Sequence, residues 1–163
     1  MKKYIVYQII LLISYIALIM LFSYMSMQTG SESSGVSQTV ADNVATVEEK
    51  ITGKPVVVDD NYILVIRKVF GHGGFFVLFS IVSSLLFLSL YTINIYLRIL
   101  IHYVAGILYA FISEFLLEAS TVGRTPSFSD VLLDSIAFVG ASTIIIIIYF
   151  IIKHNKKKKE ELA

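Results

Sequence analysis

The sequence predicts an all-α membrane protein with four transmembrane helices and a long outer loop between helices 1 and 2 that contains an amphipathic helix. Its 163 residues are 56% hydrophobic and 15% charged, with a mean hydropathy of +0.80. Soluble domains average about 25% charged residues, so the composition excludes an ordinary soluble domain. The chain has no cysteine, which excludes disulfide and thiol chemistry.

Four apolar runs approach the roughly 20 residues that a helix needs to cross a bilayer core. They place the spans at residues 4–24, 75–91, 99–117 and 131–152. The second could begin earlier, near Arg67, and the third contains His102 and Glu114. The first span follows Met1-Lys2-Lys3, but its apolar run exceeds the roughly 7–15 residues of a signal peptide, and a poor cleavage site follows it. We therefore interpret the first span as an uncleaved anchor.

Both chain termini are predicted on the cytoplasmic side, where short flanks rich in Lys and Arg are retained. Lys2 and Lys3 precede the first span, and a basic tail over residues 153–163 follows the fourth. An even number of spans allows both ends to be cytoplasmic. The outer side then receives the loop over residues 25–74 and a short link over residues 119–129.

The outer loop begins with a segment, Gln28 to Ser37, that is rich in Ser and Gly and is predicted to be a linker. Apolar residues then recur at helical spacing, at Val36, Val40, Val44, Val47 and Ile51. Gly53 is placed to end this helix, and Pro55 follows two residues later. We expect the helix to bury its stripe against lipid or against the mouths of the membrane helices.

Polar residues near the predicted outer membrane edge are the candidate functional residues. Charges inside hydrocarbon cost roughly 2.5–3.5 kcal/mol on insertion scales, so each needs a partner, a water-filled cavity or a function. The candidates are Arg67, Lys68, His72, Glu114, Glu118, Arg124, Ser127, Asp130 and Asp134. Three glycines surround His72 and are expected to loosen the backbone and leave this histidine accessible.

The four carboxylates raise separate questions. Glu114 and Glu118 are helical neighbours that repel each other unless a cation lies between them. Asp130 could complete a capping box with Ser127 at the start of the fourth helix. Asp134 lies one turn deeper and must find a partner, and Arg124 is the candidate.

In order, these motifs resemble the VanZ-like membrane proteins over nearly the whole chain. The residues that carry the resemblance are Phe22-Ser23, Gln28 and the serine-rich stretch, Arg67-Lys68, His72, Glu114, Gly123-Arg124, Ser127, Asp130-Val131-Leu132 and Asp134. The resemblance implies a multi-pass protein of the bacterial plasma membrane. Some members of that family reduce susceptibility to teicoplanin-type glycopeptide antibiotics, and the same role is the expectation here.

This sequence departs from the family's pattern at three positions. Glu118 stands where the family usually has glutamine, and Phe115 stands where a glutamate is usual unless a one-residue gap moves Glu114 into place. Val122 replaces the usual proline before Gly-Arg. The change at Glu118 lies at the centre of the candidate cluster.

Three functions are compatible with these residues. In the first, the outer cluster binds an amphiphile, either a lipid-tailed glycopeptide or a cell-wall lipid, with the basic residues holding phosphate or carboxylate. In the second, a membrane enzyme acts on a lipid or its headgroup, using His72 and one of Glu114, Glu118 or Asp134 as acid and base. In the third, a structural or accessory subunit uses the charges only to lock its helices together.

The first function is favoured, because no nucleophile motif, metal-ligand spacing or phosphate-binding glycine loop supports an enzyme. No metal and no cofactor are expected. The partners expected are membrane lipid and, for the antibiotic role, a lipoglycopeptide or a cell-wall lipid intermediate. No nucleic acid is expected, because the basic run at residues 156–159 is typical of a cytoplasmic membrane anchor.

Overall fold

The computed structural model describes residues 2–90 and 93–161 and is helical almost throughout. The α-helices are α1 (Lys2–Ser26), α2 (Gly30–Thr52), α3 (Asp60–Ile66), α4 (Phe75–Ser89), α5 (Ile95–Ile112) and α6 (Phe128–Glu161). A π-helical segment, Arg67–Gly74, joins α3 to α4 without a break. A second one, Ser113–Leu117, and a 3-10 turn, Glu118–Ser120, extend α5.

Within the described residues, four helices are long and apolar enough to cross a membrane, which confirms the predicted number of spans. They cover Tyr4–Ser26, Asp60–Ser89, Ile95–Ser120 and Phe128–Glu161. The second therefore begins earlier than residue 75, and residue 91, its predicted end, lies outside the described residues, as does residue 92. With a rise of 1.5 Å per residue, α6 is about 51 Å long. It therefore exceeds a bilayer core of about 30 Å and carries the basic tail as a helical extension.

The connection between the first two spans is more ordered than expected. The predicted linker, Gln28 to Ser37, is wrong from Gly30 onward, because α2 begins there. Thr29 starts this helix by accepting a hydrogen bond from the backbone N–H of Glu32, whose side chain accepts from the Thr29 N–H in return. Gly53 ends α2 as predicted, with a left-handed φ of 68°.

The buried face of α2 differs from the predicted one. Ser37, Ala41 and Ala45 are buried, whereas the valine stripe lies mainly at the surface, and Ile51 is 79% exposed. Small side chains let α2 lie close to its neighbours, including α3, which it contacts. The stripe is therefore not packed into the bundle, although Val36 and Val40 line a cavity, and its burial against lipid stays a prediction.

Helix α4 lies at the centre of the bundle and contacts α1, α5 and α6. Phe76, Phe79 and Phe138 form a core that is almost completely buried. Gly106 on α5 allows the ring of Phe138 to approach, because an added Cβ would overlap that ring. Close packing of this kind, made possible by a small residue, is how helices associate in lipid.

A buried polar layer, which the sequence analysis did not predict, lies beside this aromatic core. The ring of His102 is hydrogen-bonded through Nδ1 to Ser83 Oγ (2.9 Å) and through Nε2 to Ser142 Oγ (2.7 Å) and Ser84 Oγ (3.1 Å). Ser80 continues the network to Ser142 Oγ at 2.6 Å. These bonds connect α4, α5 and α6, as polar side chains commonly do between membrane helices.

Candidate functional site

All the candidate residues gather at one end of the bundle, and we call this set the polar cluster. Arg67, Lys68 and His72 come from the π-helical segment before α4. The extension of α5 supplies Glu114 and Glu118, the following link supplies Arg124 and Ser127, and the first turns of α6 supply Asp130 and Asp134. Four parts of the chain thus come together next to the ends of the spans, where the sequence analysis predicted these residues.

Two of these parts are π-helical, and this decides where their side chains point. A π turn contains an extra residue, which rotates the following side chains by about 100° relative to a regular α-helix. Such segments are frequent at functional sites. Gly71, Gly73 and Gly74 were expected to loosen the backbone, but they lie inside the continuous helix Arg67–Gly74. His72 is therefore held in the interior, 5% exposed, which corrects the expectation that it is openly accessible.

Asp134 pairs with His72 and not with Arg124, so that expectation is wrong. The Nδ1 atom of His72 lies 3.2 Å from Asp134 Oδ2, and Asp134 is fully buried. Asp134 Oδ1 has no hydrogen-bond partner among the described residues. The histidine and the aspartate come from adjacent helices that pack closely along their length, whereas Arg124 lies in the link and pairs with Glu118.

Arg124 instead forms a buried ion pair with Glu118. Its Nη1 lies 3.0 Å from Glu118 Oε1, and the two side chains are 6% and 5% exposed. The same guanidinium donates to the backbone oxygen of Ser26 (2.9 Å) and to Ser33 Oγ (3.2 Å), which ties the link to α1 and α2. Arg67 Nη2 approaches the other Glu118 oxygen at 3.9 Å. Burial lowers the pKa of the Arg124 guanidinium from its ordinary value, and the Glu118 carboxylate opposes that shift.

Glu114 has a different role from its neighbour Glu118. Its Oε1 accepts a hydrogen bond of 2.6 Å from the backbone N–H of Ser127, the residue before α6. An unpaired N–H at a helix start is satisfied by a carboxylate from another helix. The predicted capping box between Ser127 and Asp130 is therefore wrong, since Asp130 pairs with Lys68 Nζ at 2.8 Å.

An apolar cavity of about 180 Å³ lies beside the cluster. Its walls are mostly apolar and come from α1, α2 and α3 with the first π-helical segment. The polar residues of its lining are Ser26, Gln28, Ser33, Ser37, Arg67, His72, Glu118 and Arg124. An apolar cavity of about 150 Å³ can hold benzene, so this one can hold a short length of hydrocarbon.

A polar groove of about 460 Å³ is lined in part by the same residues. Its lining includes Ser31, Ser34, Lys68, Thr125 and Ser127. Arg67, Glu118 and Arg124 line both the apolar cavity and the polar groove, and we call these three residues the neck. The arrangement offers an apolar space, a charged junction and a polar space in succession.

Sequence reasoning missed Ser26 and Ser33 as members of the site. Ser26 is 2% exposed and lines the cavity, yet its hydroxyl has no hydrogen-bond partner among the described residues. Ser33 was assigned to a linker, and only its position in α2 brings it to Arg124. Within the described ranges, no group of three or more His, Asp or Glu side chains could hold a metal ion.

Comparison of the chain with protein-family models, with curated proteins and with solved structures gives no match.

Proposed function

We propose that this chain is a VanZ-like protein of the bacterial plasma membrane that binds an amphiphile and thereby reduces susceptibility to lipophilic glycopeptide antibiotics. Both termini lie in the cytoplasm, and the polar cluster lies at the outer leaflet. The amphiphile is either a lipid-tailed glycopeptide or a cell-wall lipid. The ordered set of motifs noted above supports the family assignment, and the four apolar helices support a multi-pass membrane protein.

The observation that carries the proposal is the neck shared by the apolar cavity and the polar groove. An amphiphile has the same division into an apolar chain, a polar junction and a polar body. Its chain would lie among Phe22, Val40 and Phe70, which line the cavity. Its junction would lie at the neck, and its polar body in the groove beside Ser31 and Thr125. Ligand sites of this kind combine apolar walls with a few placed polar groups.

One observation favours a second candidate function, a membrane enzyme acting on a lipid headgroup. The buried pair His72–Asp134 resembles a base held by an orienting carboxylate, and His72 lines the apolar cavity. The Nδ1 atom of His72 is hydrogen-bonded to Asp134, so proton exchange with a ligand would use the Nε2 atom of His72. A static binding site tolerates His72→Gln, whereas an acid–base enzyme loses its activity with that substitution.

Expression in a susceptible Gram-positive host tests the proposal. Minimal inhibitory concentrations of teicoplanin, vancomycin and a lipid-free glycopeptide would be compared with and without the protein. Protection restricted to lipidated drugs is expected if the outer leaflet site recognises an amphiphile. Protection against none of the drugs, with the protein present in the membrane, would contradict the proposal and favour an accessory subunit.

A substitution that narrows the cavity adds a structural control. Val40→Phe places a larger side chain in the cavity wall and is expected to abolish protection. Val47→Phe, on the same helix, is the matched control, because Val47 is 55% exposed and lines neither the cavity nor the groove. Equal protection by both variants would show that the cavity does not hold the ligand.

A further inference from the structure

We infer that the phosphate group of an anionic lipid binds at the neck, where the apolar cavity meets the polar groove. The inference rests on the proposed function, because it names the class of amphiphile that the same site takes. It excludes neutral lipids as the preferred ligand, and it assigns a ligand-binding role to Ser26, which no motif in the sequence indicated.

The local charge around the neck is positive. In the apolar cavity, Arg67 and Arg124 face the single carboxylate of Glu118. The groove adds Lys68 and Asp130, so three cations there face two carboxylates. Both spaces therefore carry one positive charge more than negative charge, before His72 is counted. An anion would complete the charge balance at their junction.

The Glu114 carboxylate acts electrostatically on Arg124 and offsets part of this excess, but it does not reach the ligand space. Glu114 and Asp134 line neither the cavity nor the groove. The Glu114 carboxylate accepts a hydrogen bond from the backbone N–H of Ser127, and the Asp134 carboxylate is hydrogen-bonded to the ring of His72. Counted as a whole, the cluster has four acidic and three basic residues besides His72, and two of the acidic residues do not line the site.

Two buried donors that line the cavity, one in the neck and one beside it, have no partner among the described residues. The hydroxyl of Ser26 and the Nε–H of Arg124 are both unpaired, and both residues line the cavity. The Arg124 side chain is 6% exposed and Ser26 is 2% exposed. Buried polar atoms without partners are rare, since each costs free energy. Both atoms donate, so an acceptor oxygen of a ligand would satisfy them.

Phosphate fits this junction better than carboxylate. Both unpaired donors line the cavity, and Lys68 lies in the groove next to the neck. A phosphate monoester presents three strong acceptor oxygens to such donors, one more than a carboxylate. The apolar walls of the cavity select a lipid phosphate over a free one.

Native mass spectrometry of the full chain in non-ionic detergent tests the inference. The probes are phosphatidic acid, diacylglycerol with the same acyl chains, oleate and inorganic phosphate. Phosphatidic acid is expected to bind about tenfold or more tightly than diacylglycerol, because a hydrogen bond to a charged group is worth at least that factor. Oleate and inorganic phosphate are each expected to bind more weakly than phosphatidic acid.

Variants separate ligand binding from folding. Ser26→Ala removes an unpaired hydroxyl, so it is expected to weaken phosphatidic acid binding several-fold without lowering thermal stability. Ser113→Ala is the matched control, since Ser113 is also 2% exposed but donates to the Ala110 oxygen and lines neither space. It is expected to leave binding unchanged. Arg67→Gln should weaken binding and Arg67→Lys should retain part of it.

The outcomes distinguish this inference from the proposed function. Equal binding of diacylglycerol and phosphatidic acid, with no effect of Ser26→Ala, would overturn the phosphate assignment and leave amphiphile binding intact. Oleate binding as tightly as phosphatidic acid would replace phosphate with carboxylate and so overturn it as well. Inorganic phosphate binding as tightly as phosphatidic acid would support the anion site but refute the proposed function, because the apolar cavity would then contribute nothing.

Discussion

Replacing Arg124 by glutamine is expected to destabilise the protein more than removing the charge of Lys68. The guanidinium lies 3.0 Å from Glu118, both side chains are more than nine-tenths buried, and it also donates to Ser26 and Ser33. Removing one member of a buried pair costs about 3–5 kcal/mol, because the other charge is left uncompensated. Arg67, 3.9 Å from Glu118, supplies partial compensation. We therefore expect Arg124→Gln to lie at the lower end of that range.

A double-mutant cycle isolates the pair. Arg124→Gln combined with Glu118→Gln leaves no buried charge uncompensated, so part of the loss should be recovered, with a coupling energy of about 1–3 kcal/mol. The exposed pair Lys157–Glu161 is the control, with 78% and 64% of its side chains exposed. Pairs of this kind contribute roughly 0–0.5 kcal/mol, so its cycle should be close to additive.

The free energy of unfolding can be measured in bicelles by steric trapping. That method needs two labelled cysteines, and the chain has none of its own, so the labels are unique. Lys68→Ala provides an internal comparison, because Lys68 is 37% exposed in its pair with Asp130 and should cost less than Arg124→Gln. Additive effects of Arg124→Gln and Glu118→Gln would refute the reasoning, since they would show that the two groups do not interact.

Two further predictions concern topology and packing. A single cysteine at Ser34 should react with a membrane-impermeant reagent on intact cells and one at Asn155 should not, and labelling of Asn155 from outside would overturn the orientation. Gly106→Ala should destabilise the bundle by about 1–3 kcal/mol through overpacking against Phe138. Gly140→Ala, where a Cβ would meet nothing, should be neutral or stabilising, and an equal loss at both glycines would contradict the packing argument.

Hydropathy was sufficient to predict the spans, because membrane insertion depends on the sum of side-chain transfer energies over a local window. The apolar runs therefore identified four helices, and Gly53 marked the end of α2 through its own backbone preference. The clustering of the candidate residues at one end also followed from local position, because each lies near the end of a span. The serine-rich start of α2 was misjudged, since the cap at Thr29 and tertiary contacts outweighed weak helix propensity.

The sequence by itself determined which charged residues lie together at one end of the bundle. Only the tertiary structure decided which of them form pairs. His72 pairs with Asp134 and Arg124 with Glu118, and the two π-helical segments set the directions of His72 and Glu118. The cavity, the groove and the unpaired hydroxyl of Ser26 likewise depend on where α2 lies against the bundle. Depth along a helix is a local property of the chain, whereas rotation about its axis is set by contacts with residues far away in sequence.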